Sequence, residues 1–314
     1  MCNLRNVSKE LILGLKNRIG DEMFKDILIS MRPKQWYKNL VIFIGIVFSL
    51  NLLNFNLWIS VVSAFVTFCL LSGSIYIIND CLDVEKDRNH PKKSKRPLAS
   101  GRLKTSHALL FSGIAVVAAL LLAFTVNLSL LLVSLAFFGL ILIYSLFLKE
   151  LILVDILVIS TGFVLRAVAG CVAIGVFVSP WLIICTFLMA LFLALVKRRH
   201  ELILLKDKAG SHRKILEGYS REMLDQMTNI TTAALVMSYS LYTFFAQNIY
   251  IMLTIPLAFY GVFRYLFLVH NDGMGGEPEM IFRDSGMVIS MTLWVVLVIG
   301  VLYFNKLGFT GVLK

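Results

Sequence analysis

About nine apolar stretches, each long enough to cross a bilayer, constrain this chain more than any other feature. They lie near residues 40–57, 58–78, 107–126, 128–147, 152–177, 179–196, 228–247, 249–269 and 287–304. A spanning helix needs about 20 mostly apolar residues. A backbone in lipid must satisfy its own hydrogen bonds, so linked spans of this kind imply an all-α, polytopic bundle. The first stretch is the weakest, because Asn51, Asn54 and Asn56 crowd its end. Of 314 residues, 58% are hydrophobic and 16% charged, which excludes disorder, a water-facing nucleic-acid-binding domain and most soluble enzymes. The five cysteines are scattered and read as apolar fillers, with no disulfide or metal spacing. The charged, polar first 30 residues do not read as a cleavable signal peptide.

The cations alternate with the spans. Lysines and arginines crowd the N-terminal segment and the connections after spans two and six, and single ones (Lys149 and Arg283) follow spans four and eight. The connections after spans one, three, five and seven carry none. Positive loops stay cytoplasmic, which predicts an inner-membrane protein with its N-terminus inside and its C-terminus outside. Residues 1–38 read as a cytoplasmic N-terminal segment, amphipathic over Ser8–Ser30, and residues 39–314 as a single transmembrane catalytic domain. The net charge of +11 points to anionic lipid or an anionic substrate, not nucleic acid.

The end of span two reads Asn79-Asp80-Cys81-Leu82-Asp83-Val84-Glu85-Lys86-Asp87. On a helical wheel started at Asn79, Asp83 falls at about 40°, Asp87 at about 80° and Asp80 at about 100°, while Glu85 falls on the far side at about 240°. Three carboxylates and an amide oxygen on one face call for a cation, and an all-oxygen set favours Mg²⁺. Mg²⁺ binds through one or two carboxylates plus substrate phosphates, so the pattern suggests a diphosphate-bearing substrate. A solvated acidic helix end, paired with the lysines that follow, is the plainer alternative. The next loop carries Arg88, Lys93 and Arg96, whose cations suit phosphate oxygens.

These residues resemble the UbiA-type intramembrane prenyltransferases, a nine-helical superfamily with Asn-Asp-x-x-Asp-x-x-x-Asp closing helix two. The resemblance implies a Mg²⁺-bound diphosphate held by Asn79, Asp80, Asp83 and Asp87 in a cytoplasm-facing cavity, with the three aspartates catalytic. Where polyprenyl-diphosphate users carry a second Asp-x-x-x-Asp, this chain has Lys197-Arg198-Arg199-His200-Glu201. The pattern is similar to the narrower decaprenyl-phosphate (polyprenyl-phosphate) phosphoribosyltransferase branch. The matching stretches are Arg32-Pro33-Lys34-Gln35-Trp36-Tyr37-Lys38-Asn39, Asp87-Arg88 through Gly101, Tyr144-Ser145 with Lys149 and Asp155, Phe163–Arg166, and Lys197-Arg198 with Glu201.

That likeness implies transfer of 5-phosphoribose from phosphoribosyl pyrophosphate to a polyprenyl phosphate for cell-envelope glycan synthesis. The implied substrate contacts are Lys34, Lys38, Asn39, Arg88, Lys93, Arg96, Tyr144, Lys149, Asp155, Arg166, Lys197, Arg198 and Glu201. Homo-oligomer formation is left open. Asp155 and Arg166 lie inside span five, where an unpaired charge is costly. They share a face but stand about 16 Å apart along the axis, so each needs another partner. Lys149 and Lys197 are candidates for Asp155, and an anionic group for Arg166. Glu201 is four residues from Lys197, and Arg264 in span eight can snorkel. Two competing readings are a UbiA-type enzyme alkylating an aromatic ring with a polyprenyl diphosphate, and an organic-anion transporter.

Overall fold

A computed structural model describes residues 22–206, 218–246, 248–271 and 283–304, and among them there are helices and turns but no strands. The long helices are α1 (Phe55–Leu82), α2 (Thr105–Val126), α3 (Leu128–Leu146), α4 (Val154–Ala173), α5 (Pro180–Lys206), α6 (Arg221–Phe245), α7 (Ile255–Asn271) and α8 (Ser285–Tyr303). Seven stretches are long and apolar enough to cross a membrane: α1, α2, α3, α4, Pro180–Ile203 of α5, Ile249–His270 and α8. The predicted span at 228–247 lies in α6, which is 25 residues long but opens on Arg-Glu-Met-Leu-Asp and is not among the seven.

The predicted span at 40–57 does not form one helix. Pro33–Phe43 is 3₁₀-helical and Ile44–Phe48 is a short α-helix. The chain then turns, with Leu50 at φ 61° and the Asn51 N–H donating to the Ile46 carbonyl at 3.1 Å. Asn51 Nδ2 also donates to the Ser49 carbonyl at 3.0 Å, the local side-chain bonding by which asparagine competes with helix.

The chain forms two compact units. The first comprises Val62–Phe138 and the described residues up to Leu40. Residues 22–30 are helical, and Ile27 and Met31 pack with Ile77, Leu98, Leu103 and Ala108. The expected amphipathic helix therefore exists over its last turns, while residues 8–21 lie outside the described residues. On α2, Ala108, Ser112, Ala115, Ala119 and Ala123 form a buried stripe at helical spacing. Such small residues let helix backbones approach in a membrane. Ser74 Oγ donates to the Ser112 carbonyl and Ser112 Oγ to the Ser74 carbonyl, both at 3.3 Å. Leu110, Ile114, Val117, Leu121 and Phe124 lie exposed on the remaining surface of α2, as expected of side chains facing lipid.

The second unit comprises Val41–Val61 and the described residues from Gly139 onward. Phe192, Val196, Leu235, Val262, Tyr265, Val269 and Met287 form one of its cores. The Tyr303 hydroxyl accepts the Leu52 N–H at 2.8 Å and donates to the Val47 carbonyl at 2.9 Å, which ties the turn after the short helix to α8. Gly170 of α4 faces the backbone carbonyl of Ile42 so closely that a Cβ would collide with it. Overpacking against backbone cannot be relieved by a rotamer change. Gly170→Ala should therefore destabilise the protein by about 3 kcal/mol, visible as a lowered unfolding temperature in detergent. An unchanged unfolding temperature would refute that close packing.

Candidate active site

Two charged clusters stand out, one in each unit. In the first, α1 ends at Leu82 and a short helix, Val84–Arg88, follows. The helical hydrogen bonds run through the junction: Asp83 N–H to the Asn79 carbonyl (3.0 Å) and Asp87 N–H to the Asp83 carbonyl (2.8 Å). The near-continuous register brings Asp80 and Asp87, each 3% exposed, to one guanidinium. Arg96 Nη1 donates to Asp80 Oδ1 at 3.1 Å and to Asp87 Oδ2 at 2.5 Å. Lys93 Nζ lies 3.8 Å from Asp87 Oδ1. Arg32 donates to Asp80 as well, and its guanidinium lies over the Tyr76 ring at 4.8 Å.

Arg32 is left-handed (φ 52°), uncommon for a residue with a Cβ. The backbone there is held by the Arg32 N–H to the Ile29 carbonyl (3.1 Å) and the Gln35 N–H to the Arg32 carbonyl (2.8 Å). Strain of this kind concentrates where a side chain must be aimed. The Oδ1 of Asn79 is buried and has no hydrogen-bond partner. Asp83 is half-buried and caps no helix N–H with its side chain. Glu85 is exposed and pairs with Arg88 (2.9 Å), so Arg88 stands outside the Arg96 bridge. Lys34 is exposed, Lys38 half-buried with its ammonium 6.0 Å from the Tyr37 ring centroid, and Asn39 buried with Nδ2 3.3 Å from Cys69 Sγ.

The second cluster joins α4, α5 and the start of α6. Asp155 is fully buried and accepts from Arg198 Nε at 2.8 Å, a partner the sequence did not point to. Arg198, 2% exposed, also donates to Glu201. The Tyr219 hydroxyl donates to Asp155 Oδ1 at 3.1 Å and accepts the Leu153 N–H at 2.8 Å. Burial, above all, pushes the Tyr219 hydroxyl up to about 12, and the Asp155 carboxylate adds to the shift. The phenol therefore stays protonated, and a donor, at neutral pH. Arg199 pairs with Asp225 of α6.

Tyr144 lies within electrostatic reach of Arg198, and Lys149 sits half-buried in the 3₁₀ turn Leu148–Glu150. Lys197 is half-buried on α5. Arg166 donates to the Gly162 carbonyl at 3.0 Å, with its guanidinium 5.0 Å from the Phe163 ring centroid. Arg264 does more than snorkel: it forks onto Asp284 (3.1 and 2.8 Å), which also caps α8 through the Met287 N–H. That pairing and the capping bond hold the Asp284 carboxyl below its ordinary value.

The sequence places Arg32 in a motif without giving it a role, and no sequence pattern marks Tyr219 or Asp225. Among the described residues, no three His, Cys, Asp or Glu side chains stand close enough to form a ready-made metal cage.

The profile of the UbiA prenyltransferase family matches residues 40–283. A decaprenyl-phosphate phosphoribosyltransferase of Mycolicibacterium smegmatis is 31% identical over 294 residues, covering 88% of this chain and 92% of that protein. The Corynebacterium glutamicum protein of the same name is 32% identical over 302 residues, covering 91% and 88%. In fold, the chain is similar to a UbiA homolog from Archaeoglobus fulgidus bound to GPP and Mg²⁺, with a TM-score of 0.69, 20% identity, and 88% and 99% coverage. A UbiA homolog from Aeropyrum pernix gives 0.61, with 14% identity and 86% and 97% coverage. With its apolar helices, its paired acidic and basic clusters and these relatives, the chain is an integral membrane transferase that belongs to the UbiA prenyltransferase family.

Proposed function

We propose that this protein transfers 5-phosphoribose from phosphoribosyl pyrophosphate to a polyprenyl phosphate, releasing pyrophosphate, on the cytoplasmic side of the membrane. Residues 39–314 act as one catalytic domain in this reading. The observation that carries it is the likeness, over most of both chains, to two proteins named decaprenyl-phosphate phosphoribosyltransferase. The arginine-rich second cluster supports it, because Lys197-Arg198-Arg199 stands where polyprenyl-diphosphate users hold acids.

Asn79, Asp80, Asp83 and Asp87 are the oxygen donors that would hold Mg²⁺, and the buried, unpartnered Asn79 Oδ1 fits such a role. When bound, the ion would neutralise the diphosphate and make it a better leaving group. Arg96, Arg32 and Lys93 already meet these carboxylates and have the donors to bind phosphate oxygens as well. Arg96 would orient the diphosphate with its planar fork while Lys93 acts as a point charge. Positive charge develops at the ribose anomeric carbon as the diphosphate leaves, as in glycosyl transfer generally. The attacking lipid phosphate is already anionic, so no side chain has to remove a proton. Catalysis then rests on positioning and fixed charge.

A second reading, alkylation of an aromatic ring by a polyprenyl diphosphate, is favoured by the GPP-bound homolog of the same fold. Membranes containing the protein should convert labelled phosphoribosyl pyrophosphate to a lipid-soluble product only with polyprenyl phosphate and Mg²⁺. Geranyl diphosphate with an aromatic acceptor should give none. The reverse pattern from folded protein would replace the first reading by the second.

A further inference from the structure

The buried ion pair of the second cluster is not self-supporting. Asp155 sits two residues after Leu153, whose φ of 66° is left-handed for a side-chain-bearing residue. This conformation costs on the order of 1–3 kcal/mol unless its surroundings enforce it. The enforcing group is the short segment before α6. Gly218 is packed so tightly on Ile152 that a Cβ would strike that side chain. The Tyr219 hydroxyl takes the Leu153 N–H and gives its own proton to Asp155 Oδ1. One phenol thus holds both the strained turn and the carboxylate that follows it.

The consequence runs outward. Asp155 Oδ2 holds Arg198 by its Nε edge at 2.8 Å, and Arg198 holds Glu201 through Nη1. Side-chain exposure rises along the chain of contacts from 0% at Asp155 and 3% at Arg198 to 27% at Glu201. Asp155 and Arg198 are sealed and cannot both serve a substrate directly. Glu201 is the carboxylate of this network with open surface, and a carboxylate accepts hydrogen bonds from vicinal hydroxyls. We propose that Tyr219 is a positioning residue that acts through Asp155 and Arg198 to hold Glu201 for the ribose hydroxyls of the donor. This rests on the phosphoribosyl reading above and moves Asp155 and Arg198 from substrate contacts to supports.

The test uses full-length protein in membranes with phosphoribosyl pyrophosphate and polyprenyl phosphate. Tyr219→Phe keeps the ring and removes the hydroxyl. It should raise KM for the ribosyl donor about 10-fold, the scale of one lost hydrogen bond to a charged group. KM for the lipid acceptor should not change. Glu201→Gln should give the same donor-selective change, and the double variant should be no worse than Glu201→Gln alone, because the two act in series. Leu153→Gly, which accepts a positive φ freely, secures folding in the Tyr219→Phe background without restoring the bond to Asp155. Should Tyr219→Phe fail to accumulate, the comparison is made in that background. Equal loss toward donor and acceptor, additive losses, or wild-type donor KM in a folded Tyr219→Phe protein would each overturn the proposal. Inactivity of the wild type toward the ribosyl donor would instead overturn the reading on which it rests.

Discussion

Asp83→Asn should lower Mg²⁺-dependent turnover by about 10²–10³-fold, the scale of losing one fixed electrostatic contact to a developing charge. The substitution leaves the volume of the side chain nearly unchanged. The variant should therefore accumulate in membranes like the wild type. Glu85→Gln is the matched control. Glu85 lies on the other side of the same turn, with its side chain 83% exposed and paired to Arg88, and it should leave turnover unchanged. Turnover of Asp83→Asn equal to wild type, measured across a Mg²⁺ titration, would remove Asp83 from the proposed metal-binding set.

Arg96→Ala should be the most damaging single change in the first cluster. Arg96 Nη1 bridges two carboxylates that are both nearly sealed from solvent. Without it, two like charges remain buried side by side, and removing one partner of such a pair costs several kcal/mol. Arg32 still meets Asp80, and Lys93 lies 3.8 Å from Asp87, so part of the compensation survives. The expected loss is about 3 kcal/mol of stability together with at least about 10²-fold in turnover. Arg96→Lys separates the two effects. A point charge should recover most of the stability but not the planar fork proposed to orient the diphosphate, and turnover should stay low. Thermal unfolding in detergent beside a turnover assay reads both. An Arg96→Ala protein as stable and active as the wild type would contradict the bridge.

Much of this was legible in the chain because helices in lipid announce themselves by length and apolarity. The spans at 107–126 and 128–147 correspond to α2 and α3 nearly end to end. Asp80 and Asp87 converge, and Glu85 points away, as a helical wheel requires. The first stretch misled because hydropathy averages over Asn51 and Asn54, whose local hydrogen bonds turn the chain.

The partners of buried charges were not legible, since they depend on which helices pack. Asp155 found Arg198, 43 residues away, and Arg199 found Asp225. Tyr219 carries no local signal at all: an isolated tyrosine before a helix becomes meaningful only when α4 brings Leu153 and Asp155 beneath its hydroxyl. Arg32 was visible beside Pro33, but its left-handed backbone and its bond to Asp80 were not.

The group transferred defines the enzyme. Purified protein in vesicles containing a polyprenyl phosphate, given phosphoribosyl pyrophosphate and Mg²⁺, provides the most direct measurement through the mass of the extracted lipid. The expected product is a polyprenyl phosphate heavier by one phosphoribosyl group, formed in step with released pyrophosphate and absent when Mg²⁺ is chelated. An unmodified lipid recovered from folded, Mg²⁺-supplied protein would contradict it.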